Sequence, residues 1–174
     1  MTARHDGRMN GFGIRPRTDT DLDACERIVR AVHALDRYPP YLPDGNYRGV
    51  VDTPDVLAAW VAVDGEQVLG HVAVHATTMP ETIELATKSL GLSAEQLGVV
   101  ARLFVAPEAR RRGVARTLLD HATDETRARG LVPVLDTALY LDAANALYER
   151  AGWTRLGECG QDAPTPERVV RGAR

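Results

Sequence analysis

Apolar and polar positions along the chain change spacing several times, and each change marks an element. Residues 1–11 hold no apolar run and are expected to form a loose leader; residues 12–15 then read as a strand start that Pro16 ends. Leu22, Cys25, Ile28, Val29, Val32 and Leu35 fall at helical spacing behind the capping pair Thr18 and Asp21, which predicts a helix over about 19–35. Pro39, Pro40, Pro43 and Gly45 forbid a long regular element over 36–46, where Tyr38 and Tyr41 read either as caps on the core edge or as the lining of a pocket. Thr53-Pro54-Asp55 opens a short turn. Residues 58–63 and 67–75 are β-prone runs around Asp64-Gly65-Glu66, a strong hairpin signal.

Residues 79–96 interrupt the strand pattern. Ile83, Ala86 and Leu90 lie near helical spacing, Gly91 stops that helix, and residues 93–96 begin another turn. A lid and a homodimer contact are both open readings of this insertion. Residues 98–105 are nearly continuous apolar sequence, with Arg102 the one charge, as expected of a central strand covered on both faces. A turn with Pro107 follows, then a basic loop closing on Gly113 and a helix with Val114, Leu118, Leu119 and Ala122 on one side, ending near Gly130. The next strand, 132–137, should lie parallel to the previous one, because a helix crosses between them. Asp142 is the expected cap of a helix holding Tyr148, Gly152 its stop, and residues 153–158 a further strand. The segment 159–174 is read as a loop with a short last strand at 168–170. Alternating strands and helices over 174 residues indicate one α/β (α+β) domain, 1–174.

The passage from strand through glycine to helix has a chemical consequence. The first N–H groups of such a helix point at one spot with the positive end of the dipole behind them, and that spot favours an anion. Gly113 lets a bulky phosphate approach the backbone, and Arg110, Arg111 and Arg112 add charge and planar donors. Read alone, the arginines fit a solvated basic turn equally well. The loop lacks the Gly-Lys-Ser/Thr ending of a P-loop and the chain has no G-x-G-x-x-G, so nucleoside triphosphates and dinucleotides are poorly supported.

Composition narrows the partners. A formal net charge of -3 argues against a general nucleic-acid binder, and a local basic loop in a mildly acidic chain suits a small anion. No segment approaches the ~20 apolar residues of a membrane span, and no signal peptide is visible, so a cytoplasmic protein without a membrane partner is expected. Cys25 and Cys159 form no C-x-x-C, which indicates neither zinc nor a redox pair. His71 and His75 share a strand face but lack a third ligand; solvated or core-edge histidines are the favoured account, and no metal is expected.

The pattern Arg-x-x-Gly-x-Ala at 110–115, after a strand ending Leu103-Phe104-Val105, resembles the pyrophosphate-binding motif of the GNAT superfamily, the GCN5-related N-acetyltransferases. A second match, Ala144-Asn145-Ala146-Leu147-Tyr148-Glu149-Arg150-Ala151-Gly152-Trp153, is similar to the family's Leu-Tyr-Glu-Lys/Arg-x-Gly-Phe helix end. The resemblance covers roughly residues 12–158. It implies a mixed, mostly antiparallel sheet of six to seven strands, with strands 4 and 5 parallel and splayed, flanked by about four helices. It also implies acetyl-CoA as acyl donor, its pyrophosphate on Arg110, Arg111, Arg112, Gly113, Val114 and Ala115 and its pantetheine arm along Leu103, Phe104 and Val105. Tyr148 matches the family's general acid to the departing thiolate, Asn145 would bond the arm or order a water, and 36–46 would lie on the acceptor side. Relatives often carry an asparagine where this chain has Leu141.

The expected reaction is direct attack of a primary amine on the bound thioester, the acceptor a small amine, an amino acid or a protein N-terminus. The base is undecided: the fourth strand holds no acid, which leaves Asp136, Glu81, Glu84, His71 and His75 as candidates by type, or transfer to solvent. The other reading is a non-catalytic acyl-CoA-binding sensor or structural partner.

Overall fold

The structure, a computed structural model, describes residues 11–160 and 166–173. The expected leader, apart from Gly11, and the loop 161–165 lie outside the described residues. The strands are β1 (Gly13–Pro16), β2 (Val56–Asp64), β3 (Gln67–His75), β4 (Leu97–Val105), β5 (Val132–Ala138), β6 (Thr154–Cys159) and β7 (Arg168–Gly172). The helices are α1 (Leu22–Asp36), α2 (Arg48–Val51), α3 (Pro80–Leu90), α4 (Val114–Ala128) and α5 (Asp142–Arg150). One seven-stranded sheet runs in the order β1-β2-β3-β4-β5-β7-β6, antiparallel throughout except between β4 and β5.

Side-chain alternation assigns the helices to faces. His71, on the same side of β3 as His75, meets Arg17, whose guanidinium also donates to Val51 O of α2; α1, α2 and α3 cover this face. Gly98 and Gly70 point the other way, toward α4. A Cβ on Gly98 would stand 2.4 Å from Thr126 Cγ2, so the missing side chain lets α4 sit down on β4. Leu118 and Leu119 of α4 are fully buried there, each contributing roughly 1.5–3 kcal/mol. On the same face Arg171 of β7 pairs with Glu149 of α5 at 3.0 Å.

The insertion 79–96 is built around a helix that packs on the sheet. Its helix, α3, spends its apolar side on the sheet, with Ala86 fully buried over Leu97, Val99, Val134 and Val170. Gly91 ends it in the left-handed region, φ 67°. Two departures from the expected elements are local. Leu141, not Asp142, holds the cap position of α5, and Asp142 stands in the first turn, where its charge suits the helix dipole. The short α2 has too few apolar positions for any period to mark it, although Val50 and Val51 are buried.

Candidate active site

The parallel pair is short. Leu97, Gly98 and Val99 pair with Val132, Pro133 and Val134, and there the ladder stops although β4 runs on to Val105. Beyond that point β5 pairs only with β7, from Val134 to Ala138. On its other side β4 is distorted by an extra residue: Ala101 pairs with Ala73 but Phe104 with His71, and inside this bulge Arg102 takes φ 55°. The two strands therefore diverge, and the β5-facing edge of β4 over 100–105 carries backbone groups without a sheet partner, an arrangement open to an extended ligand.

The turn from β4 to α4 opens beside this gap. Ala106 is tied to β3 by its N–H to Leu69 O at 2.8 Å, and Arg111 and Gly113 take the left-handed region at φ 63° and 80°. The N–H groups of residues 111–116 have no acceptor among the described residues, and no side chain caps α4. A Cβ built on Gly113 meets nothing within 4 Å, so the space over this nest of donors is open. The arginine triplet is less free than its sequence suggests. Arg110 is paired with Asp36 at the end of α1, and Arg112 with Asp64 in the β2–β3 turn at 3.1 Å, so these two position the loop.

Tyr148 of α5 stands beside Thr137 of β5, 9% exposed, its ring edge-on to Trp153 at 6.2 Å. Burial pushes its phenol well above the ordinary range, and the neighbouring Tyr38 and Asp136 push the same way, so the group stays protonated. Thr137 Oγ1 lies beside it without closing a full hydrogen bond. Tyr38 enters from the loop after α1 and its phenol is also raised by burial, with the Arg102 guanidinium opposing and Asp136 reinforcing the shift. The Tyr140 hydroxyl donates to Arg37 O at 2.8 Å, which fastens that loop to the β5–α5 turn. Tyr41, by contrast, is 63% exposed.

Among the candidate bases, Asp136 alone lies on β5 past the end of the parallel ladder. Its Oδ2 accepts from Thr82 Oγ1 at 2.8 Å and, more weakly, from Thr78 Oγ1 at 3.4 Å, while Oδ1 has no partner among the described residues. Glu81 and Glu84 are exposed on α3. The histidines are not solvated: His71 is fully buried, stacked on Phe104 at 5.0 Å, and His75 is 4% exposed beside Asp55 at 3.1 Å. Burial holds His71 down at about 3. The Asn145 amide donates to the carbonyls of Ala138, Leu139 and Leu141 and thereby braces the turn into α5. Leu103 is half-buried, Phe104 and Val105 buried, and Val114 buried at the start of α4 with Ala115 beside it half-buried. No group of three metal-ligating side chains occurs among the described residues.

A model of the acetyltransferase (GNAT) family matches residues 23–153. The chain belongs to the GNAT family. IAA acetyltransferase of Azospirillum brasilense is 40% identical to this GNAT chain over 70 residues, which are 40% of the chain and 46% of that protein, so the chain spans about half the relative's length. NAA60 of Arabidopsis thaliana, solved with acetyl-CoA, superposes with a TM-score of 0.69 at 17% identity, over 93% of this chain and 97% of that one. Ribosomal-protein-alanine N-acetyltransferase of Brucella melitensis gives 0.69 at 23% identity, over 92% and 98%. These two likenesses are of fold: the GNAT sheet with its parallel, diverging strands β4 and β5.

Proposed function

We propose that the protein is an acetyl-CoA-dependent N-acetyltransferase in which a primary amine attacks the bound thioester directly. The carrying observation is the divergence of β4 from β5, with a nest of free N–H groups at one side and, on the β5 side, Asp136 and the phenol of Tyr148 that it bears on. The residues present fit the donor. The turn at 111–116, open above Gly113, would take the diphosphate, and the unpaired edge of β4 at Leu103, Phe104 and Val105 would pair with the arm. Bound acetyl-CoA supplies an activated acyl group on sulfur.

The chain's own groups supply the rest. Backbone N–H groups on the free edge of β4 stabilise negative charge developing on the acyl oxygen. Tyr148 keeps its proton at neutral pH and is placed to give it to the departing sulfur. Asp136, through the unpartnered Oδ1, takes the proton of the attacking nitrogen. A non-catalytic acyl-CoA sensor gains support from the absence of an acid on β4, but Asp136 on the neighbouring β5 carries the chemistry that absence leaves wanting.

The test is thiol release from acetyl-CoA across a panel of amines. Release that depends on acceptor is expected, and Tyr148→Phe should lower kcat by about ten- to a thousandfold, a range overlapping the loss of a positioned acid, with coenzyme A affinity nearly unchanged. Undiminished turnover in that variant would remove Tyr148 from the reaction. Binding of acetyl-CoA without turnover on any amine would favour the sensor.

A further inference from the structure

Arg102 is the one charge in an otherwise apolar central strand, and the structure gives it an unusual setting. The bulge in β4 places it at φ 55°, a conformation that costs a non-glycine residue about 1 kcal/mol or more. Its Nε is buried without a hydrogen-bond partner, and no carboxylate lies within ion-pair distance of its guanidinium among the described residues. Among the described residues, the groups that bear on it carry no negative charge: Arg17, the neutral rings of His71 and His75, and the phenol of Tyr38, which accepts from the guanidinium. A cation so placed is costly unless an anion joins it. On the same sheet face, on β5, stands Asp136, its Oδ2 held by Thr82 and Thr78 and its Oδ1 without a partner among the described residues.

We infer that Arg102 and Asp136 form a zwitterion subsite at the acceptor mouth, so that the acceptor is a free amino acid, its carboxylate on Arg102 and its amine beside Asp136. This rests on the acetyltransferase reading and narrows it, because a protein N-terminus offers the amine without the neighbouring carboxylate. Tyr38, whose phenol meets the Arg102 guanidinium and feels the Asp136 carboxylate, would orient the acceptor. The buried Nε and the terminal nitrogens of a guanidinium form a fork that a carboxylate meets with two hydrogen bonds, a geometry an amide cannot reproduce. Arg168, 8% exposed on β7 beside Cys159, is another buried cation of this face; β5 separates its strand from Arg102, which makes it the control.

The experiment measures kcat/KM for free amino acids, the matching amino amides and short peptides with the same first residue, in the wild type and in Arg102→Gln, Arg102→Lys and Arg168→Gln. Free amino acids should exceed their amides by roughly 10- to 100-fold, the value of a hydrogen-bonded charge. Arg102→Gln should bring that ratio close to one, Arg102→Lys should keep part of it, and Arg168→Gln should leave the ratio as in the wild type; thermal unfolding reports that each variant is folded. Amides or peptides used as well as free amino acids by the wild type overturn the inference, as does an Arg102→Gln loss equal for acid and amide. Should no amine accept acetyl, the acetyltransferase reading fails by itself. The subsite is then read from the Arg102 Nε–Hε resonance on titrating glycine against glycinamide. A shift with glycine alone supports it, and no shift overturns it.

Discussion

Replacing His71 by Phe tests how the bulge beside the active site is held. The ring is fully buried, stacked on Phe104, and its nitrogens have opposite tasks. Nδ1–H donates to Arg102 O at 2.8 Å, and Nε2 faces Arg17 Nη1 at 3.3 Å as acceptor. Phe keeps the stacking and loses both bonds, leaving the Arg102 carbonyl, at the centre of the bulge, without its partner. An unsatisfied buried carbonyl costs about 1–3 kcal/mol, so a loss of about 2–3 kcal/mol is expected near neutral pH once the Arg17 contact is included. For a chain of this size that lowers Tm by about 4–12 °C.

The pH dependence separates this account from generic damage. Burial lowers the folded pKa of His71 from 6.5 to about 3, helped by the charges of Arg17 and Arg102. The unfolded chain therefore binds the proton first, and the stability His71 confers is complete above pH ~6.5 and lost as pH falls toward 3. At about 1.36 kcal/mol per pH unit, the wild type should forfeit about 2 kcal/mol between pH 7 and pH 5 that the Phe variant keeps. His75 and His121, both also lowered by burial, titrate in both proteins and cancel. Denaturant unfolding at the two pH values measures the difference: the wild-type advantage should shrink from about 2–3 kcal/mol to near zero. An advantage that stays constant with pH refutes the neutral, hydrogen-bonded imidazole.

Other outcomes follow from single residues. Gly113→Val should weaken coenzyme A binding at least about tenfold by calorimetry, because φ 80° strains a β-branched residue by about 1–3 kcal/mol and the side chain would stand over the free N–H groups; unchanged affinity counts against this turn as the diphosphate site. Arg15 holds the buried Asp21 carboxyl down to about 2, so Asp21→Asn should cost roughly 1–2 kcal/mol at pH 7, discounted for the half-exposed Arg15, with the penalty fading as pH falls from about 4 toward 2; a penalty still full at pH 2 contradicts the ion pair. Cys25 is fully buried and its thiol is pushed up to about 12, so a chromogenic disulfide should leave it untouched in the native protein. Rapid native-state labelling of Cys25 would show that α1 opens or that the burial is wrong.

What the sequence disclosed and what it hid divide along a physical line. Signals that act within a few residues are legible: Asp64-Gly65 turns β2 into β3, Gly91 and Gly130 end helices in the left-handed region, and the apolar run before Pro107 became the central strand. Contacts between distant stretches are not. The acids that restrain Arg110 and Arg112 lie 74 and 48 residues away, and nothing local to Asp36 or Asp64 announces them. Asn145 sat in a family motif, and the motif does not say that its amide would be spent on three carbonyls of its own turn. His71 and His75 alternate with apolar residues as a half-exposed strand face would, yet α1 and α2 cover that face and leave it dry.

Arg102 had one legible sign, a charge where the surrounding apolar run allows none. Sequence patterning registers that sign as an irregularity, because a bulge adds one residue and reverses the facing of everything after it. Phe104 thus lies on the face of His71, whereas an unbroken alternation from Val99 and Ala101 would have assigned that place to Leu103. The same extra residue interrupts the strand's ladder at the level where β5 departs. Strain, the lone cation and the open strand edge are therefore one feature seen three ways, and a residue that removed the bulge would be expected to close the gap and strand Asp136 together.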